Sequence, residues 1–352
     1  MKYVTEPLRR SAERARQVLE SLANYARAAG AAAWSSLCKA SATIDTCSPF
    51  SRALGAARAL LAVGLLGTIL ATPRGQLFFR SDNYPDGVVC DRLLSDASLF
   101  CIFRGDQQPF AYVVTIAVLV IVVWGVRPML SALPHAWVAW SFNHSTPIPD
   151  GGDQVASVLT LFFVPLLLLD RRRSHWDVDE TYGVRHHAVR RTAWAAIVMV
   201  WIQVSVIYFH AAIGKLPVAE WSDGTVLWYW IQDPTFGPPA ALRAVMAAGL
   251  GTLVGTVTVT YAVLLLEIAL GAALIVRSAL RTGLLVAGLL FHLANAVVFG
   301  LWSFLLSMSA ALIIYLVRPG DVLTPPPPRP PESYFPAPRE AAVAAPATTE
   351  GA

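Results

Sequence analysis

Eight apolar stretches constrain this chain more than anything else in it, near residues 53–71, 110–126, 129–143, 154–169, 192–211, 253–276, 283–299 and 301–317. Such runs can be hidden from water in a protein core or in a lipid bilayer, and charge decides between the two. Only 14% of the residues are charged and 55% are hydrophobic, whereas soluble domains carry about a quarter charged residues. The chain therefore reads as an integral membrane protein, an all-α helical bundle with about eight transmembrane helices. Several stretches fall short of the roughly 20 residues that a full span needs, and the third is interrupted by Pro134 and His135.

The flanks differ from this middle. Residues 1–52 form a polar, basic region with an amphipathic helical pattern around 12–29, and 53–318 form the transmembrane domain. Residues 319–352 hold the run Pro325–Pro328 and then alanine, proline and threonine; such a tail buries no core and is expected to be disordered. The first apolar run comes too late for a cleavable signal peptide, so none is expected.

Arginine orients the spans, because cytoplasmic loops are enriched in it. Its clusters are the amino terminus (Arg9, Arg10, Arg14, Arg16, Arg27, Arg52), Arg171–Arg173 with Arg185, Arg190 and Arg191, and Arg277 with Arg281. All of these, with Arg127 and Arg318, fall on one side if the third stretch crosses and residues 238–251 form an interfacial helix. Both termini are then cytoplasmic. The alanine-rich, arginine-for-lysine composition fits a bacterial genome, and hence a bacterial cytoplasmic (inner) membrane. A net charge of +4 gives no reason to invoke nucleic acid, and His186 and His187 read as solvated loop surface. The outer face receives residues 73–108, 144–152 and 216–237. The first of these holds Cys90 and Cys101, which can pair outside the reducing compartment; Cys38 and Cys47 are expected as free thiols.

Of 27 basic residues only three are lysine, Lys2, Lys39 and Lys215, and Lys215 ends the apolar run from Trp194. Arginine stays charged, whereas an amine on an apolar surface can lose its proton and act as a base. The competing reading is a lysine whose long stem anchors a helix end at the interface. Tyr208 lies seven residues before Lys215 and shares its helical face; His210 and Trp221 complete the group as a candidate proton-transfer cluster, or else as an aromatic belt with one cation. Three further groups stand out. Asn143 precedes Gly151-Gly152-Asp153, where Asp153 can cap a helix or serve a site. Glu267 is a carboxylate at mid-span, costly unless protonated, paired or facing a polar cavity. His292 and Asn295 share a face three residues apart and can bridge helices or serve a site. Metalloprotease, serine-hydrolase and phosphate-loop signatures are absent, and no metal site is expected.

In this order the blocks Tyr208-Phe209-His210-Ala-Ala-Ile-Gly-Lys215-Leu216 with Trp221 and Gly224, Asn143 with Gly151-Gly152-Asp153, Glu267 with Arg277 and Arg281, and Phe291-His292-Leu-Ala-Asn295 resemble the vitamin K-dependent γ-carboxylase-like (HTTM) membrane domain. Pro149–Gln154, Asp170-Arg171 with His175-Trp176, and Gly224–Trp230 with Asp233-Pro234 are similar to its SdpB branch. The likeness runs over roughly residues 50–320. It implies Lys215 as a candidate base, with Tyr208, His210 and Glu267 supplying hydrogen bonds and a proton exit. A reduced quinone is the cofactor the resemblance implies. For the SdpB branch it implies maturation of a secreted antimicrobial peptide toxin, with an SdpA-like partner and an SdpC-like toxin precursor. The large extracytoplasmic domain of the carboxylases has no counterpart here, so γ-carboxylation of glutamate itself is not expected. A toxin-binding or immunity protein and a proton-coupled carrier are the competing functions.

Overall fold

A computed structural model of the protein describes residues 42–276 and 278–319. The expected amphipathic segment around 12–29, Cys38 and the proline-rich tail lie outside the described residues. Every apolar stretch forms a helix: α1 (Arg52–Ala71), α2 (Gln108–Trp124), α3 (Pro128–Ser145), α4 (Gly151–Leu167) and α5 (His187–Lys215). There follow α6 (Val226–Gln232), α7 (Ala240–Leu250), α8 (Leu253–Gly271), α9 (Ser278–Phe299) and α10 (Trp302–Leu316). Among the described residues the one β-type pairing is an isolated bridge between Val126 and Ser174. The molecule is an all-α membrane bundle.

Among the described residues five helical segments are long and apolar enough to cross a membrane: Arg52–Ala71, Gly105–Trp124, His187–Lys215, Leu253–Leu274 and Ala279–Phe299. α4 and α10 are apolar but shorter. α10 packs among α1, α4, α5 and α9, and most of it from Ser307 to Leu316 is buried. A helix enclosed in this way meets protein at its ends, so it is not bound to the full hydrocarbon thickness. α3 carries Pro134 within the helix and buries His135; it runs unbroken and packs against α2 and α4. α7 has 11 residues, about 17 Å at 1.5 Å per residue, against about 30 Å of hydrocarbon. It is too short for a ninth span.

Two apolar cores hold the helices. One joins α1, α4, α5 and α10 through Leu54, Leu61, Leu159, Phe163, Val200 and Leu312. The other joins α1, α2 and α3 to the 73–108 loop through Leu65, Leu119, Phe142, Phe78 and Phe100. Phe78, Phe100, Tyr112 and Phe142 form a mutual ring cluster with centroids 4.9–5.9 Å apart. Cys90 and Cys101 are joined by a disulfide in the same loop, so this connection is a folded cap with its own apolar anchor. Cys47 is a free thiol.

The arginine-rich end is more than a solvated fringe. Arg172 makes a two-toothed contact with Asp170, at 2.9 Å from Nε and 2.7 Å from Nη2, and donates to the His175 and Asp177 carbonyls. Arg58, on α1, is fully buried; its guanidinium lies 3.2 Å from His175 Nδ1 and donates to Ser131 Oγ at 3.1 Å. Burial, then the Arg58 and Arg172 charges, push the His175 imidazole down to about 3. His187 does sit at the surface, its side chain 67% exposed. The loop from 168 to 186 thus folds back onto the helix ends, because a charge taken out of water needs fixed partners.

Candidate functional site

α5 explains where Lys215 points. In an α-helix each Cα–Cβ bond tilts toward the amino terminus, so a residue at the carboxy-terminal end of a span directs its side chain back into the bundle. Lys215 follows that tilt. Its Nζ lies 2.6 and 2.7 Å from the two carboxylate oxygens of Glu267 on α8, and 5.0 Å from the centre of the Trp221 ring. The amine is not alone on an apolar surface, as sequence reasoning expected. Its stem does not carry it out to water either.

A second bonded pair lies nearby. Tyr208, one helical face with Lys215, has its hydroxyl 2.8 Å from His292 Nε2 on α9, and both side chains are buried. His292 Nδ1 is buried without a protein partner. The His292 ring is held edge-on by Phe304 of α10 at 5.3 Å. Both pairs open on one cavity of about 430 Å³, whose walls include Trp230, Phe236, Phe291 and Phe299. Its roof is the 216–237 segment. Gly224 turns there with φ +84, and an added Cβ would press on Val257 at 3.1 Å. Tyr261 of α8 donates to the Ser222 carbonyl at 2.6 Å, docking the roof on the bundle. The result is a mostly apolar chamber with a few polar side chains gathered in it, Tyr208, Lys215, Glu267, His292 and Asn295, the usual make-up of a small-molecule site.

The sequence-derived candidates divide. Tyr208, Lys215, Trp221, Glu267, His292 and Asn295 all line this chamber. His210 does not; it lies on another face of α5 and is exposed. Asn143 lines neither this cavity nor the next one, and its Oδ1 is buried without a protein partner. Asp153 is only 4% exposed and faces a different cavity of about 470 Å³, together with Asp150. The α9–α10 turn separates the two spaces: Phe299 and Leu301 face the first, Gly300, Trp302 and Ser303 the second. Gly152 permits this wall, since a Cβ there would stand 2.6 Å from the Phe304 nitrogen. Among the described residues no group of three or more His, Cys, Asp or Glu could hold a metal ion.

Sequence reasoning grouped Glu267 with Lys215 but not as a direct ion pair, and it missed the second cavity altogether. The first left a signal, a single amine and a single carboxylate in apolar runs 52 residues apart. The second left almost none, because its walls come from four helices.

Comparison with known proteins agrees with this layout. The HTTM domain model matches residues 156–318, from α4 to the end of α10. The sporulation-delaying protein SdpB of Bacillus subtilis (strain 168) is 32% identical over 275 residues, 78% of this chain and 83% of that protein. The uncharacterized protein YitO of the same organism is 32% identical over 274 residues, 77% of this chain and 87% of its own length. No solved structure matches the chain. A likeness of that extent places the chain in the SdpB family of HTTM-domain membrane proteins.

Proposed function

We propose that this protein takes part in maturing or modifying a secreted antimicrobial peptide toxin, with the Lys215 chamber as a membrane-embedded acid–base site. One observation carries the chemistry: an amine and a carboxylate bonded together inside an apolar cavity, beside a bonded phenol–imidazole pair. The relative named as a sporulation-delaying protein supports the setting. The arginine bias supports an orientation with both termini in the cytoplasm and the chamber open to the outer side of the bacterial inner membrane. An SdpA-like partner and an SdpC-like toxin precursor are the proteins this role requires.

The pair keeps zero net charge whichever atom holds the shared proton. Transfer of that proton from Nζ to Glu267 leaves a neutral amine and a neutral acid, with no separated charge in an apolar space. The freed lone pair of Lys215 then accepts a proton from the bound molecule. Tyr208 and His292 hold the other side of the chamber as a bonded pair. The aromatic walls exclude water, which strengthens each of these contacts. The lining fits a reduced quinone by its chemistry: Trp221, Trp230 and Phe291 would hold its ring, and Lys215 would meet its O–H. When bound, such a group supplies an acidic O–H.

Two substitutions test the reading. Lys215→Ala should lower toxin maturation at least about 100-fold, the usual scale for a general base, measured as active toxin released by cells with unchanged levels of the membrane protein. Lys215→Arg keeps the ion pair with Glu267 but removes the base, and should fail equally. Full activity of the arginine variant would make Lys215 a docking cation and the protein a non-enzymatic binding or immunity factor. One observation favours a proton-coupled carrier as the second reading, namely that two bonded pairs share one chamber; proton uptake in liposomes that is lost in Glu267→Gln would select it.

A further inference from the structure

The second cavity carries a function that the Lys215 chamber does not explain. It is built where the carboxy-terminal ends of α1 and α3 meet the starts of α4 and α10. Asp153 lines it, 4% exposed, with no hydrogen-bond or ion-pair partner among the described residues. Asp150, at the start of α4, faces the same space and accepts a hydrogen bond from Ser303. Burial pushes the Asp150 carboxyl up from its ordinary value. Capping accounts for Asp150 in part, since the Gly151 and Gly152 N–H groups at the start of α4 favour its carboxylate against burial; Asp153 bonds to no backbone N–H among the described residues.

The neutral groups in the wall point the same way. Thr68 gives its hydroxyl proton to the Gly64 carbonyl at 3.2 Å, and Thr146 gives its own to the Phe142 carbonyl at 2.6 Å. Ser303 has spent its proton on Asp150. These oxygens therefore turn lone pairs, not protons, to the cavity. Two carboxyls facing such a space are balanced either by a proton or by a bound cation.

We propose that this cavity binds a primary ammonium group carried on an aliphatic or peptide body, with Asp153 as its counter-charge. The space is larger than a bare ion fills. The cavity measures about 470 Å³, whereas one water occupies about 30 Å³ in the liquid. Apart from the Thr72 hydroxyl, the remaining walls, among them Ile148 and Trp302, are apolar and suit a hydrocarbon body. An ammonium offers three donors in a tetrahedral fan, which match Asp153 and the acceptor oxygens around it. A lysine side chain and the free amino terminus of a peptide share this chemistry. The site lies at the same end of the bundle as Lys215, with the α9–α10 turn as a common wall, yet its occupancy does not depend on chemistry at Lys215.

The test is a binding titration of the purified full chain in detergent, followed by calorimetry. Four probes are compared: Nα-acetyl-lysine methylamide and its norleucine counterpart, and leucyl-leucine amide with its amino terminus free or acetylated. At neutral pH at least one amine should bind saturably, at least roughly tenfold more tightly than its uncharged counterpart, and which amine does so identifies the source. Asp153→Asn should erase that preference, and Thr146→Val should reduce it. Equal binding of amine and uncharged probes to the native chain, a comparison that needs no variant, overturns the proposal. So does an Asp153→Asn chain with the preference intact. A saturable response to sodium chloride that requires Asp153, with none to the amines, overturns it in favour of an inorganic cation.

Discussion

The two ends of this bundle use charge in opposite ways. At the arginine-rich end, Arg172 spends its donors on Asp170 and two carbonyls, and Arg58 is locked between His175 and Ser131. At the other end the ionisable groups line cavities: Lys215 and Glu267 one, Asp150 and Asp153 another. A charge surrounded by fixed partners holds a loop in place. A charge with an open side is available to something from outside. The same cost of burying polar groups thus marks one end as architecture and the other as a site.

That contrast breaks most sharply at Asp170. Asp170→Ala leaves Arg172 buried without its carboxylate, and should lower stability by about 3–5 kcal/mol, read as a fall in the unfolding midpoint in detergent. Glu267→Gln, with a partner whose side chain is 23% exposed to the cavity, should destabilise far less and act on function instead. Equal losses of stability at the two positions would erase the distinction. Acid titration gives an intermediate effect. His175 is held at about 3, below the about 6.5 of an unfolded imidazole, so the unfolded chain takes up a proton first. Stability should be level above about pH 6.5 and fall as the pH drops toward 3. His175→Asn, which keeps an acceptor for Arg58, should flatten that slope; an unchanged slope would show that other groups set it. The smallest effect is expected at His210, exposed on α5 and outside both cavities. His210→Ala should change stability by less than about 0.5 kcal/mol and leave toxin maturation intact, and a large loss of maturation would return it to the site.

Much of the chamber could be read along the chain. Tyr208 and Lys215 share a helical face by spacing alone, and so do His292 and Asn295. Glu267 announces itself by the cost of a carboxylate in an apolar run. His210 projects about 140° from Lys215 on a continuous helix, so only a break at Gly214 would bring it round, and α5 runs unbroken through Gly214. Asp153 was left open between a cap and a site, because its surroundings come from α1, α3 and α10, up to about 150 residues away along the chain.

Hydrophobic run length and arginine placement determined by themselves that this chain is a helical membrane bundle, since both follow from the transfer of single residues between water and lipid. Pairings were decided only in three dimensions. Whether Lys215 meets Glu267, whether Tyr208 meets His292, and whether Asp153 finds a partner all depend on the rotation and depth of helices packed side by side. Those two quantities arise from side-chain interlocking between distant segments, and no local pattern encodes them.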